Sequence, residues 1–308
     1  MTLSIRIELT PEKDFYTAGE ELKARFVGWD LSRAIRVFYG YKCLEESYVT
    51  IHAGRSAVSD EASHRIYAIE ESIEGPLSEF DRSLRVVLPE FPPSFELETP
   101  HARFSLKHVF YVRIVRKLAL DLYVTKRILV RPREYPHGGR GEVRVEGDGL
   151  ELRVNPATVR PGESLVVRLY SPKARGRYRV DFVTKAWVHG ERLARRVDVK
   201  RIKVMDVYFS ESYSSCTGSL IVPKSTHPDL EFSLMRLWSE IEVLKVKGIG
   251  RLSLKRRVLS ARISILLSPE YFERLKPRET ETYTICPFCM REVSPEFVRC
   301  PLCGFKLK

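Results

Sequence analysis

Residues 83–115, SLRVVLPEFPPSFELETPHARFSLKHVFYVRIV, decide the reading of this chain. They open with an apolar run from Leu84 to Leu88, break at Pro89 and pass through Pro92-Pro93. Phe104, Leu106, His108, Phe110, Val112 and Ile114 then recur at every second position. Period two in β-branched and aromatic residues predicts a half-buried strand. Prolines cannot donate to a sheet ladder, so they mark the crossing between two strands rather than a strand interior. A strand, a crossing and a strand make the unit of a two-layered β-sandwich.

Working outward toward the start, residues 4–9 alternate cleanly and predict a first strand, and a turn centred on Gly19 leads into a second at 23–27. A third strand is expected over 34–41, with Ile35, Val37 and Tyr39 on one side and Phe38 and Tyr41 on the other. Residues 54–63 are small and polar and read as a loop, and 66–73 and 119–130 as strands. The segment 134–141, EYPHGGRG, carries a proline and three glycines without an apolar run, the composition of a linker. Beyond it the pattern restarts. Gly162-Glu163-Ser164-Leu165 repeats Gly19-Glu20-Glu21-Leu22, and Val222-Pro223 followed by a long strand at 232–246 repeats Leu88-Pro89 and its successor. Two copies of one plan imply tandem homologous sandwiches.

The order leucine-proline, Pro92-Pro93-Ser94-Phe95, then Phe110-Tyr111-Val112-Arg113-Ile114 resembles the arrestin family. The opening Tyr16-x-x-Gly19-Glu20-x-Leu22 resembles it as well, and the likeness covers roughly residues 3–270 by pattern. It implies an all-β fold of two tandem immunoglobulin-like, arrestin-type β-sandwiches, and an adaptor that presents sheets and edge strands to other proteins. The buried charge set that gates signalling arrestins with phosphate has no traceable counterpart in this sequence. Phosphate gating is therefore not part of the expectation.

The chain has 308 residues, 44% of them hydrophobic and 10% aromatic, enough for real cores and more than one domain. Its net charge is +12, which favours acidic protein partners, membrane faces or nucleic acid. There is no glutamine, and Asn155 is the single asparagine, a bias similar to that of heat-adapted, archaeal-type proteins. No apolar run reaches ~18 residues, so no transmembrane helix is expected. The first ten residues lack a secretory pattern, which makes the cytoplasm the expected location, with peripheral attachment to a membrane as a variant.

The chemistry is concentrated near the other end. Cys286-Pro287-Phe288-Cys289 and Cys300-Pro301-Leu302-Cys303-Gly304 form two Cys-x-x-Cys knuckles, spaced to set four thiolates tetrahedrally around one Zn²⁺. The match is to the zinc ribbon family. A redox pair needs a surrounding βαβ domain, and two disulfides need an oxidising compartment or a hot-environment host. Four cysteines with no open position predict a structural zinc, one per chain, that supplies most of the folding energy of so small a module. The expected organisation is a sandwich at 1–133, a linker at 134–141, a second sandwich at 142–272, a linker at 273–283 and a zinc ribbon at 284–308.

Cys43 and Cys216 read as core residues, and His108 as a satisfied core histidine on an apolar strand face. The sequence shows no phosphate-binding Gly-Lys-Ser/Thr loop, no Gly-x-Ser-x-Gly elbow and no His-Glu-x-x-His, and no catalytic residue is assigned. Basic clusters at 127–133, 192–203 and 255–257 alternate with apolar residues, as a solvated strand face does; an anion-binding concave sheet is the other reading. The expected function is a non-enzymatic scaffold for protein partners. The alternative is a nucleic-acid-binding zinc-ribbon protein using a basic sheet face.

Overall fold

The computed structural model describes residues 4–53, 56–117, 119–136, 141–248, 254–275, 280–289 and 291–307. Among the described residues, nine strands build the first unit: β1 (Ser4–Thr10), β2 (Phe15–Thr17), β3 (Glu21–Leu31), β4 (Ala34–Ala53), β5 (Ser56–Glu74), β6 (Leu77–Val87), β7 (Phe95–Glu98), β8 (Ala102–Arg116) and β9 (Leu122–Arg131). Strands β1-β3-β6 form one sheet, and β9-β8-β4-β5 form the body of a second. Phe26, Leu84 and Val86 from the first layer meet Tyr41, Phe110 and Val112 from the second in one buried cluster.

The second unit comprises β10 (Val143–Gly147), β11 (Leu150–Asn155), β12 (Thr158–Val159), β13 (Ser164–Tyr170), β14 (Gly176–His189), β15 (Ala194–Phe209), β16 (Ser215–Ile221), β17 (Leu230–Glu231), β18 (Met235–Lys247) and β19 (Leu254–Ile265). Apart from the added edge strand β10, it copies the first strand for strand. The order β11-β13-β16 answers β1-β3-β6, and β19-β18-β14-β15 answers β9-β8-β4-β5. Even the short parallel pairings recur, β2 on β9 and β12 on β19. The chain is all-β, with each unit enclosing its own apolar cluster between two sheets.

Period two in the deciding stretch holds at every position: Phe104, Leu106, His108, Phe110, Val112 and Ile114 are all buried. Within the two units, three expectations are corrected. Residues 56–63 are not loop, because β4 and β5 form one long hairpin paired as far as Ala53–Ser56, and side-chain polarity does not stop backbone pairing at a sheet edge. Tyr41 lies with Val37 and Tyr39 in the core rather than opposite them, whereas Ile35 is exposed beside an irregularity in the pairing with β8. The strand expected from residue 232 begins at Met235. Of the first linker, residues 137–140 lie outside the described residues.

A third apolar cluster joins the two units. Phe95, Phe104 and Leu106 of the first pack with Val188, Met235 and Leu237 of the second, and with Tyr271 and Phe272 of helix α1 (Pro269–Glu273). Phe104 and Phe232 stack with ring centroids 5.3 Å apart. The Tyr271 hydroxyl accepts from the Glu96 amide at 3.0 Å and donates to its carbonyl at 3.1 Å. Buried Glu45 accepts the Ser233 amide at 3.2 Å and the Leu234 amide at 2.9 Å across the seam. Apolar burial and satisfied polar groups together fix the units against each other.

Of the second linker, 273–283, residues 276–279 lie outside the described residues, and what flanks them is not simply linker. The stretch starts as the last residue of α1 and ends within β20 (Glu281–Ile285), which pairs antiparallel with β9 and then with β21 (Glu292–Val293). Tyr283 stacks on Tyr123 at 5.2 Å, and the Thr284 hydroxyl donates to the Asp121 carbonyl at 2.7 Å. Alternating Tyr283 and Ile285 supply the period that a strand needs. The charged neighbours mask it in the sequence.

Candidate metal centre and charged surfaces

The two knuckles are built alike. The Cys286 amide donates to the Arg291 carbonyl at 2.9 Å, and the Cys300 amide to the Phe305 carbonyl at 2.8 Å. Each closes a tight loop that turns the second cysteine back toward the first. Gly304 sits at φ +74°, the left-handed region that glycine adopts without steric cost, directly after the second pair. The amides of Phe288 and Cys289 face the Cys286 sulfur, and that of Phe305 faces Cys303.

These loops bring all four predicted ligands together. The sulfur atoms of Cys286, Cys289, Cys300 and Cys303 lie within 4.8 Å of one another, a set that can hold a metal ion. Cys286 and Cys303 are 3.6 Å apart, Cys289 and Cys300 3.7 Å. Distances of this size are far longer than the ~2.05 Å of a disulfide and suit four thiolates grouped about one centre. Val293 and Leu307 pack against the cysteines and make the rest of a very small core. Phe288 and Leu302 stand at the knuckle tips with 72% and 64% of their surface exposed.

Of the other cysteines, Cys43 is fully buried in the seam, while Cys216 is half-buried against the second core. His108 is buried as expected. Its Nε2 donates to the Pro92 carbonyl at 2.9 Å, which leaves Nδ1 to accept from the Tyr41 hydroxyl at 2.5 Å. Burial holds its pKa down at about 4, against the pull of that carbonyl, so the ring is neutral at pH 7.

The basic clusters are more committed than their alternation suggests. Arg127 is buried and paired with Glu96 at 2.5 Å. Arg201 reaches Asp181 at 3.0 Å, Glu242 at 2.8 Å and Asp198 at 2.8 Å. Arg257 lies 3.4 Å from Glu242, and Lys185 bonds both Glu240 and Glu242. Burial pushes the Glu242 carboxyl up, but its bonds to Lys185 and Arg201 outweigh that and hold it below the usual range. Asp181, Lys185, Glu240 and Glu242 were not singled out from sequence. Their signal is the alternation of Glu240 and Glu242 with Ile241 and Val243, which places carboxylates on the face opposite the core.

In comparison with known proteins, no family model matches the chain, and no curated protein matches it. Among the described residues, no helix is long and apolar enough to cross a membrane.

Proposed function

We propose that this chain is a non-enzymatic adaptor of arrestin-like type, working in the cytoplasm or at a membrane face, with a structural zinc in its four-cysteine centre. The observation that carries the reading is the locked duplication. Two copies of one sandwich share an apolar seam, and the cysteine module is strapped to the first copy by β20. Such a body holds several surfaces at fixed separation, which is what a scaffold requires. Strand β5 ends the eight-stranded sheet and, among the described residues, pairs only with β4, leaving an edge suited to strand addition. The absence of nucleotide-loop, hydrolase-elbow and metalloprotease motifs from the sequence supports a binding role over a catalytic one.

Zinc is favoured over other metals by the chemistry of the donors. Four thiolates are soft ligands, and a closed tetrahedral set leaves no position for substrate. The residues Cys286, Cys289, Cys300 and Cys303 would hold the ion, whose role there is to fold the module.

One observation favours nucleic-acid binding as a second reading. Phe288 is exposed and stacked on Phe305 at 5.9 Å, on the module that also carries Arg299 and Lys306. Affinity capture from native lysate at low and high salt separates the two. An adaptor retains defined protein partners at both; recovery of nucleic acid alone, lost at high salt, contradicts the first reading.

A further inference from the structure

A cleft of about 1410 Å³ runs between the cysteine module and the outward face of the first unit. Its floor is the stretch of sheet where β7, β8, β4 and β5 lie side by side, and its wall is Arg291, Glu292 and Leu302. The alternation that sends Leu97, Phe104 and Leu106 into the seam sends charged neighbours into this cleft.

The sign of that charge is opposite to the chain's. Glu46, Glu61, Glu96, Glu98, Glu191 and Glu292 line it, against only Arg103, Lys107 and Arg291 among lysines and arginines. The chain as a whole carries +12. The three cations are already engaged: Arg103 with Glu98 at 2.7 Å, Arg291 with Glu61 at 3.0 Å, and Lys107 with Glu46. Glu96 is bonded from below by Arg127. The excess therefore falls on Glu191 and Glu292. The Glu292 carboxyl is pushed up by burial and then by the Glu46 carboxylate beside it, against the weaker pull of Lys107 and the Tyr283 hydroxyl, and that crowding of like charges is what an added cation relieves.

We propose that this cleft takes an extended Lys/Arg-rich segment of a partner protein. The proposal rests on the adaptor reading and names the class of partner. Phosphate backbones are repelled by this lining. A single small cation leaves most of the space unused, since small-ligand sites occupy roughly 300–1,000 Å³. The exposed Leu302 side chain on the wall gives an aliphatic contact, so the segment interleaves apolar residues with its cations. Recognition runs through side chains. The outward amide and carbonyl of Glu96 on β7 are already taken by the Tyr271 hydroxyl and are not open for strand pairing.

The test uses the full-length, metal-loaded chain and a fluorescent peptide of about eight residues alternating arginine and leucine, roughly 26 Å when extended. A glutamate-leucine peptide is the control. The variants are the double substitution Glu98→Lys with Glu191→Lys and, away from the cleft lining, Glu211→Lys. The arginine peptide should bind and the glutamate peptide should not. The double variant should weaken binding about tenfold while Glu211→Lys leaves it unchanged. Equal binding by all three proteins overturns the assignment. So does a salt-sensitive dimer in sedimentation that the double variant abolishes, because a second copy is then the occupant. If the peptide ignores the cleft while salt-resistant capture of protein partners persists, only the cleft assignment falls. Loss of that capture removes the adaptor reading itself.

Discussion

The Gly19 amide donates to the Leu88 carbonyl at 3.0 Å, and its counterpart Gly162 makes the same bond to Val222 at 2.7 Å. The return bonds match as well: Leu88 to the Glu20 carbonyl and Val222 to the Glu163 carbonyl, both at 2.9 Å. In each copy the glutamate carboxylate also receives an amide from three residues earlier, Thr17 at 3.0 Å and Arg160 at 2.7 Å. One turn chemistry thus closes both sandwiches, and it depends on glycines at φ +76° and +93°.

Gly162→Ala should therefore destabilise the protein by about 1–2 kcal/mol, the cost of a left-handed conformation for a residue with a Cβ. The added methyl itself meets only Lys224 at 3.8 Å. Gly19→Ala should cost at least as much, because its methyl also displaces the Glu90 side chain. Urea unfolding measures both; an unchanged midpoint in either variant contradicts the shared turn.

The Tyr283–Tyr123 stack makes a second prediction. Truncation after residue 275 removes β20 and uncovers the edge of β9, so the β signal should survive at room temperature but melt earlier. Tyr283→Ala should reproduce part of that loss, about 1–3 kcal/mol. Melting curves that coincide with the full chain would show that the strap adds nothing.

Metal analysis of the purified chain should give one equivalent of zinc, and Cys300→Ser should lose it, because a four-thiol site cannot close with three. Chelation should disorder the cysteine module first and leave the far-UV β signal largely intact, since the three large apolar clusters lie elsewhere. Retention of a full equivalent by the variant sinks the ligand assignment.

Asp229 gives a pH dependence. Its amide bonds the Ile265 carbonyl at 2.8 Å, as Ser94 bonds Val130 at 2.8 Å in the first copy, so a carboxylate stands where the other repeat keeps a hydroxyl. Burial raises its pKa from 3.8 to about 7, against the pull of the Ser239 amide and Arg262. The folded state then holds this proton more tightly than the unfolded chain. The stabilisation is complete below about pH 4 and is lost as pH rises through 7. Asp229→Ser, which copies the first repeat, should remove this contribution. The stability of wild type relative to the variant should fall between pH 4 and 8, measured by urea unfolding at each pH. A constant difference contradicts the buried carboxyl.

Much of the architecture was legible. Leu88-Pro89 and Val222-Pro223, each preceded by a Gly-Glu turn, announced the duplication because turn geometry restricts residue choice tightly. The two Cys-x-x-Cys pairs announced the clustering of their four sulfurs, because that spacing is restricted as tightly by the geometry of a four-thiolate site. What escaped was decided by partners distant in sequence. Glu281–Ile285 looks polar until Tyr283 meets Tyr123, and Lys185 looks solvated until Glu240 and Glu242 arrive from β18. The hairpin arm at 56–63 escaped because its residues 57–63 are largely exposed on both faces and carry no hydrophobic period to read.

Titrating mixed-sequence DNA and RNA at low and high salt separates a scaffold directed at proteins from a nucleic-acid binder. Wild type is compared with Arg192→Glu plus Lys203→Glu, both exposed on or beside β15 and outside the buried Lys185 network. A protein-directed scaffold should bind at micromolar affinity or weaker, and the charge reversal should leave that binding unchanged. Tight binding that falls steeply with salt and vanishes on reversal would contradict it, because that is the behaviour of counterion release from nucleic acid.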